Sequence, residues 1–168
     1  MNIVTLRSHM PLDIVSFAKP AINQVFQTML NTRLIEHGDK QPNGQFAIKE
    51  EKQIAASIGF TGAFTGVISL ILGESLAVTL TKRMLSMDPH ESVSTEYLKD
   101  ALGELTNMVA GQVKTKLCDK GINTIMSVPV VIFGKTLNVD GAQHSKCQRI
   151  ELLCESKPVV VQLIEKIT

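Results

Sequence analysis

The stretch DALGELTNMVAG, residues 100–111, lies at the centre of a long segment with the periodicity of a helix. Apolar residues recur there at steps of mostly three or four, which predicts an amphipathic helix over about 93–118. The apolar stripe consists of Leu98, Ala101, Leu102, Leu105, Met108, Val109, Val113 and Leu117. Because such a stripe has to be buried against another element, the helix should form one layer of a layered domain.

A second stripe of the same helix consists of Asp100, Glu104, Asn107 and Gly111. A carboxylate and a carboxamide three residues apart are neighbours on a helix surface. Gly103 and Gly111 each cost about 1 kcal/mol relative to alanine inside a helix, and close approach of another surface is one reason to have them. The alternative is an ordinary solvated face, since polar residues on the outer side of an amphipathic helix are usually just exposed.

The segments before this helix predict a helix, two strands and a second helix. Residues 13–31 have a period near 3.6, and their helix either begins at Pro20 or is kinked there. Strands are expected over 46–58 and 66–72, with a turn at 59–62, after a loop at 37–44. The second helix should open at 73–75 and continue to about Met87.

Three strands are predicted after the motif helix. The first covers 122–133, where Pro129 implies an edge, a bulge or a break. The other two cover 149–154 and 159–167, with Ser-Lys-Pro158 between them, and should close the chain as a hairpin. Short turns imply antiparallel pairing, and helices over one face of the sheet give an α/β layered domain of α+β type.

The chain is expected to contain one domain, residues 10–168, behind a poorly ordered leader at residues 1–9. Residues 54–72 carry no charge and reach the length of a membrane span. They also contain three glycines and four hydroxyl residues, and no aromatic belt flanks them. A buried hairpin is therefore preferred to a membrane helix.

Composition argues against several classes of partner. The net charge of +1 gives no general attraction to nucleic acid, and the aromatic content of only 4% argues against a base-stacking platform. Three cysteines without a C-x-x-C fit a reducing, cytoplasmic compartment. Neither the cysteines nor the four histidines have metal-ligand spacing, so no metal site is expected on this chain.

The motif helix resembles the signature of the CheC, CheX and FliY phosphatases of bacterial chemotaxis. Their pattern is Asp or Ser, three residues, Glu, two residues, Asn, and a Pro about twenty-two residues later. The equivalent positions here are Asp100, Glu104, Asn107 and, after twenty-one residues, Pro129. The words GELTNMVAG and SVPVVIFG resemble the CheX branch, and the likeness runs over roughly 54–137. The Glu–Asn pair occurs once, as in CheX.

The resemblance implies an activity. The family dephosphorylates the phospho-aspartate of a CheY-like response-regulator receiver domain, which supplies the acceptor Asp, Mg²⁺ and a Lys, while the phosphatase inserts its helix. Asn107 would orient the attacking water, and Glu104 would pair with the receiver's Lys. No cofactor would be bound by this chain, and the family also associates as homodimers.

The remaining motif positions are implied to contact the partner. Asp100 lies one turn before Glu104, and Gly103 and Gly111 would give clearance. Pro129 matches the motif's Pro approximately, and a simple strand terminator is an equal interpretation.

Two other functions remain open. A non-catalytic module could dock to a receiver or a flagellar protein with the same helix face. A small-ligand-binding domain would instead need an enclosed apolar pocket.

Overall fold

The computed structural model describes residues 13–37, 47–139, 141 and 143–167. The predicted leader at residues 1–9 and most of the loop at 37–44 lie outside these ranges. The elements are α1 (Ile14–Leu30), β1 (Ile35–Glu36), β2 (Gln53–Gly62), β3 (Gly66–Gly73), α2 (Glu74–Met84), α3 (Thr95–Asp119), β4 (Thr124–Met126), β5 (Val130–Gly134), β6 (Ser145–Cys154) and β7 (Lys157–Lys166).

The strands form one antiparallel sheet in the order β1-β6-β7-β3-β2-β4, and β5 also pairs with β2. Strands β4 and β5 therefore share the outer side of β2 and form one edge of the sheet. Strand β1 forms the opposite edge. The predicted α+β class is confirmed.

The main core lies between the three helices and one face of this sheet. Alternate residues of the central strands, such as Ile54 and Ile58 in β2 and Ile68 and Leu72 in β3, are buried there. Helix α3 adds its apolar stripe, with Leu105 and Leu117 fully covered. Burial of that stripe leaves the opposite side of α3 at the surface.

Two buried glutamines attach the segment after β5 to the other face of the sheet. Gln53 accepts a hydrogen bond from the Leu137 amide at 2.8 Å, and Gln162 accepts one from the Val139 amide at 2.9 Å. The Gln162 amide also donates to Asn138 Oδ1 at 2.7 Å. The attached segment covers a small second cluster around Ile71 and Val160.

The turn of the first hairpin differs from the prediction. Strand β2 begins at Gln53 and includes Gly59 and Gly62, so the expected turn at 59–62 is wrong. Gly59 continues the ladder opposite Val67, and residues 63–65 make the connection. The buried ring of Phe64 packs edge-on against Phe60 at a centroid distance of 5.7 Å and fixes the turn there.

Other boundaries also differ from the predicted ones. Helix α1 begins at Ile14 with Asp13 as its cap, so Pro20 lies within the helix. Helix α2 ends at Met84, before the expected Met87.

The strand expected over 122–133 is divided into β4 and β5, with Pro129 in the break. The final hairpin turns at Glu155 and Ser156, both with positive φ, and Pro158 is part of β7 opposite Leu153.

Within the described ranges, no helix has the length and apolar character needed to cross a membrane. Residues 54–72 form the β2–β3 hairpin instead.

Candidate functional site

Helix α3 carries the motif on the side that faces away from the core. Its first turn is capped by Ser94, whose Oγ accepts a hydrogen bond from the Tyr97 amide at 3.2 Å. A capped first turn and a buried apolar stripe together fix how the helix is rotated. The motif side chains consequently project from a rigid element.

The structure places the predicted polar residues along one exposed strip. Asp100 and Glu104 are exposed, and Asn107 is half-buried one turn further along. Gly111 continues the strip, and a Cβ atom added there would meet no atom within 4 Å. The space above the C-terminal half of the strip is therefore open.

An open cleft of about 600 Å³ lies between α3 and the chain that leads into β5. It is lined by Lys99, Asp100, Gly103, Glu104, Pro129 and Val131. Pro129 forms its wall, and its Cγ would lie 3.4 Å from a Cβ atom added at Gly103. The fold thus brings Pro129 next to Gly103, Asp100 and Glu104, from positions far apart in the sequence.

Asn107 does not line this cleft. It lies on the same face of α3, three residues after Glu104, at the C-terminal end of the cleft. Along the helix, Asn107 therefore lies between the cleft and the open surface over Gly111.

Two of the lining residues, Lys99 and Val131, are not among those that the motif predicts. Lys99 precedes Gly103 by four residues, so helical spacing could have identified it. Its ammonium group also contacts the Glu96 carboxylate at 3.5 Å. Val131 comes from β5, and no local pattern connects it with α3.

The chemistry that the lining residues offer is electrostatic. They include two carboxylates and one ammonium group, and they include no serine, cysteine or histidine. Among the described residues no group of three His, Cys, Asp or Glu side chains is arranged to hold a metal ion. The carboxamide of Asn107 can both donate and accept a hydrogen bond, which suits it to hold a water molecule.

A family model and a curated relative both connect this chain with the CheX phosphatases. The family model described as "Chemotaxis phosphatase CheX" matches residues 54–153. A curated relative, the CheY-P phosphatase CheX of Thermotoga maritima, is 25% identical over 118 residues, which cover 70% of this chain and 76% of the relative.

Two solved structures share the fold. The chemotaxis protein CheX of Desulfovibrio desulfuricans aligns with a TM-score of 0.75 at 24% identity, covering 92% of this chain and 100% of that one. The complex of CheX with CheY, BeF3 and Mg²⁺ from Borrelia burgdorferi aligns with a TM-score of 0.71 at 20% identity, covering 92% and 98%.

Proposed function

Because this chain belongs to the CheX family of chemotaxis phosphatases, we propose that it hydrolyses the phospho-aspartate of a CheY-like receiver domain. The observation that carries the proposal is the exposed strip of Asp100, Glu104 and Asn107 beside an open cleft, in a chain that matches this family. The relative from Thermotoga maritima is named a CheY-P phosphatase, which supports the same substrate class.

Asn107 is the residue that we assign to the attacking water. Its amide group carries no charge, so it can approach a phosphoryl group and hold a water in line with the phosphorus. A carboxylate at the same position would repel the phosphoryl oxygens. Its half-buried side chain has a restricted range of positions, which favours a fixed water position.

Glu104 and Asp100 are assigned to binding. Both carboxylates are exposed at the cleft, where Glu104 can pair with the receiver's Lys and Asp100 can add a contact one turn earlier. Mg²⁺ and the phosphorylated Asp belong to the receiver. The rate gain then comes from positioning and from preorganised charge, without a covalent intermediate on this chain.

The surface over the helix must also admit the receiver. The floor of the cleft at Gly103 and the open space over Gly111 leave room for its backbone. Pro129 contributes an apolar wall on the opposite side of the cleft.

We also propose that the protein forms a homodimer and is located in the cytoplasm. The β4–β5 edge of the sheet exposes Ile125, Val130 and Ile132, at 68%, 58% and 43% of their surface. Within the described ranges, β5 pairs with β2 alone, so its outer edge is available to a second copy. A cytoplasmic location follows from the substrate, because receiver domains are phosphorylated there.

The test is the decay of a CheY-type receiver phosphorylated with acetyl phosphate in the presence of Mg²⁺. Wild-type protein should accelerate the decay. Asn107→Ala should lower kcat by at least about 100-fold and leave binding largely intact, because the lost group positions the water. Glu104→Lys should abolish binding by placing two ammonium groups face to face.

The matched control is Gln112→Ala, which removes a carboxamide from the same helix outside the strip. Unchanged turnover in Asn107→Ala would contradict the mechanism. Tight binding of the receiver without any acceleration by wild-type protein would favour the alternative, a non-catalytic binding module.

A further inference from the structure

Tyr97 is the only tyrosine of the chain, and 49% of its surface is exposed. It follows the cap of α3 and directly precedes Leu98, which is buried in the core. A single exposed aromatic residue is common on protein surfaces and by itself needs no explanation. Its position relative to the motif is what distinguishes it.

Tyr97, Glu104 and Gly111 lie on one line along the surface of α3. They are spaced seven residues apart, which is nearly two full helical turns. At about 1.5 Å per residue, Tyr97 lies about 10 Å from Glu104 and about 15 Å from Asn107 along the helix axis. The aromatic side chain therefore extends the exposed strip towards the N-terminus.

The backbone of Tyr97 is already ordered before any partner binds. Its amide donates to Ser94 Oγ at 3.2 Å, so its backbone belongs to the capped first turn. A tyrosine side chain has only two main rotatable bonds, and ordering it on binding costs little entropy. Such a residue can contribute a large contact area at low cost.

We propose that Tyr97 is a docking residue that sets the affinity for the phosphorylated receiver, an inference that rests on the proposed function above. The apolar ring would pack against the receiver surface next to its phosphorylation site, and the hydroxyl would bond to a polar group there. We name the receiver as the occupant because Tyr97 continues the strip of Asp100 and Glu104, which we assign to the receiver. Buried aromatic residues often dominate the energy of such interfaces.

The distance from Asn107 separates this role from the chemical step. A side chain about 15 Å from the water-positioning residue cannot reach the same phosphoryl group. Its loss should weaken binding of the receiver before and during the reaction equally. That pattern raises KM and leaves kcat unchanged.

The experiment compares wild-type protein, Tyr97→Ala and Tyr97→Phe on a CheY-type receiver phosphorylated with acetyl phosphate and Mg²⁺. Tyr97→Ala should raise KM about tenfold with kcat unchanged, and should weaken binding of the BeF3-loaded receiver to the same extent. Tyr97→Phe keeps the ring and should recover most of the affinity. Alanine favours helix, so the variant should fold.

Ile35→Ala is the matched control, because it removes an exposed apolar side chain at the opposite edge of the sheet. A KM for Tyr97→Ala within about twofold of wild type would overturn the inference and leave the proposed function standing. If Tyr97→Ala changed the oligomeric state and left KM unchanged, the inference would also be overturned, because Tyr97 would then contact a second copy. Failure of the wild-type protein to act on or bind any receiver would instead overturn the proposed function.

Discussion

At the scale of single residues, the two glycines of the motif helix lie in different surroundings. A Cβ atom at Gly103 would make ordinary contact with Pro129 at 3.4 Å, whereas one at Gly111 would meet nothing within 4 Å. Neither position requires glycine for the packing of this chain. Packing within the molecule therefore does not explain why glycine, which lowers the stability of the helix, occupies these two positions.

Gly111→Ala should stabilise the fold and impair the activity. Alanine is the better helix former by about 1 kcal/mol, so Tm should rise by about 2–4 °C in a chain of this size. If the receiver occupies the space over Gly111, the added methyl group should lower kcat/KM. Calorimetry and the phospho-receiver decay assay measure the two effects, and a stabilised variant with full activity would show that the clearance is not used.

The three cysteines should differ in reactivity. Burial raises the pKa of the Cys154 thiol to about 11, and the nearby Glu155 carboxylate adds to the effect. Cys118 and Cys147 are exposed. A maleimide at pH 8 should therefore label two cysteines in the folded protein and the third only after unfolding, and rapid labelling of all three would contradict this environment for Cys154.

The same pKa shift predicts a loss of stability at high pH. The pKa of the unfolded thiol is 9.0, below its value of about 11 in the folded protein. Above pH 9 the unfolded chain releases this proton while the folded chain still holds it. The contribution to the free energy of unfolding is complete below pH 9 and declines as the pH rises to about 11.

At the scale of elements, α2 is capped by a residue far from it in the sequence. Gly73 at the N-cap has no side chain, and Glu50 takes its place by accepting hydrogen bonds from the Ser75 amide at 2.8 Å and the Ser75 hydroxyl at 2.6 Å. A Cβ atom at Gly73 would overlap the Glu50 carboxylate. The absence of a side chain at Gly73 therefore makes room for the cap.

Glu50→Ala should lower the free energy of unfolding by about 1 kcal/mol, since it removes a cap and a negative charge at a helix N-terminus. Urea denaturation measures the change. Glu51→Ala, an exposed neighbour outside the α2 cap, is the matched control and should have little effect. Equal destabilisation by both variants would argue against capping by Glu50.

Local pattern was enough to predict the helices, the hairpins and the polar strip, because each depends on spacing within one element. Local pattern does not predict features that depend on contacts between residues far apart in the sequence. Gly59 remains in β2 because its amide donates to Ser127 Oγ at 3.0 Å, a partner 68 residues away. The final turn uses Glu155 and Ser156 with positive φ, and neither residue type signals such a turn. Local pattern does not predict the cleft for the same reason, since Val131 belongs to another element.

At the scale of the whole molecule, β5 borders both proposed surfaces. Val131 lines the cleft beside α3, whereas Val130 and Ile132 are exposed at the sheet edge. The receiver is assigned to the helix face, and the second copy is assigned to the sheet edge. The register places Val130 and Ile132 opposite Ser57 and Ala55, so they share the sheet face away from the main core. The two proposed contacts therefore use opposite faces of β5.

Ile132→Lys should convert the proposed dimer into a monomer, because it places a charge in the apolar contact proposed between the two copies. Light scattering after size exclusion should give about twice 18.4 kDa for wild-type protein and about 18.4 kDa for the variant. The same substitution at Ile35, on the opposite edge, should leave the mass unchanged. A wild-type monomer at micromolar concentration would exclude this dimer.

The break at Pro129 also affects the tendency of the protein to aggregate at high concentration. An exposed strand edge rich in aliphatic side chains is a template on which further chains can add without limit. Proline has no amide hydrogen, so the run from Ile125 to Phe133 cannot offer an uninterrupted ladder to an incoming strand. We therefore expect growth into fibrils to be restrained at Pro129, the same residue that forms the wall of the cleft.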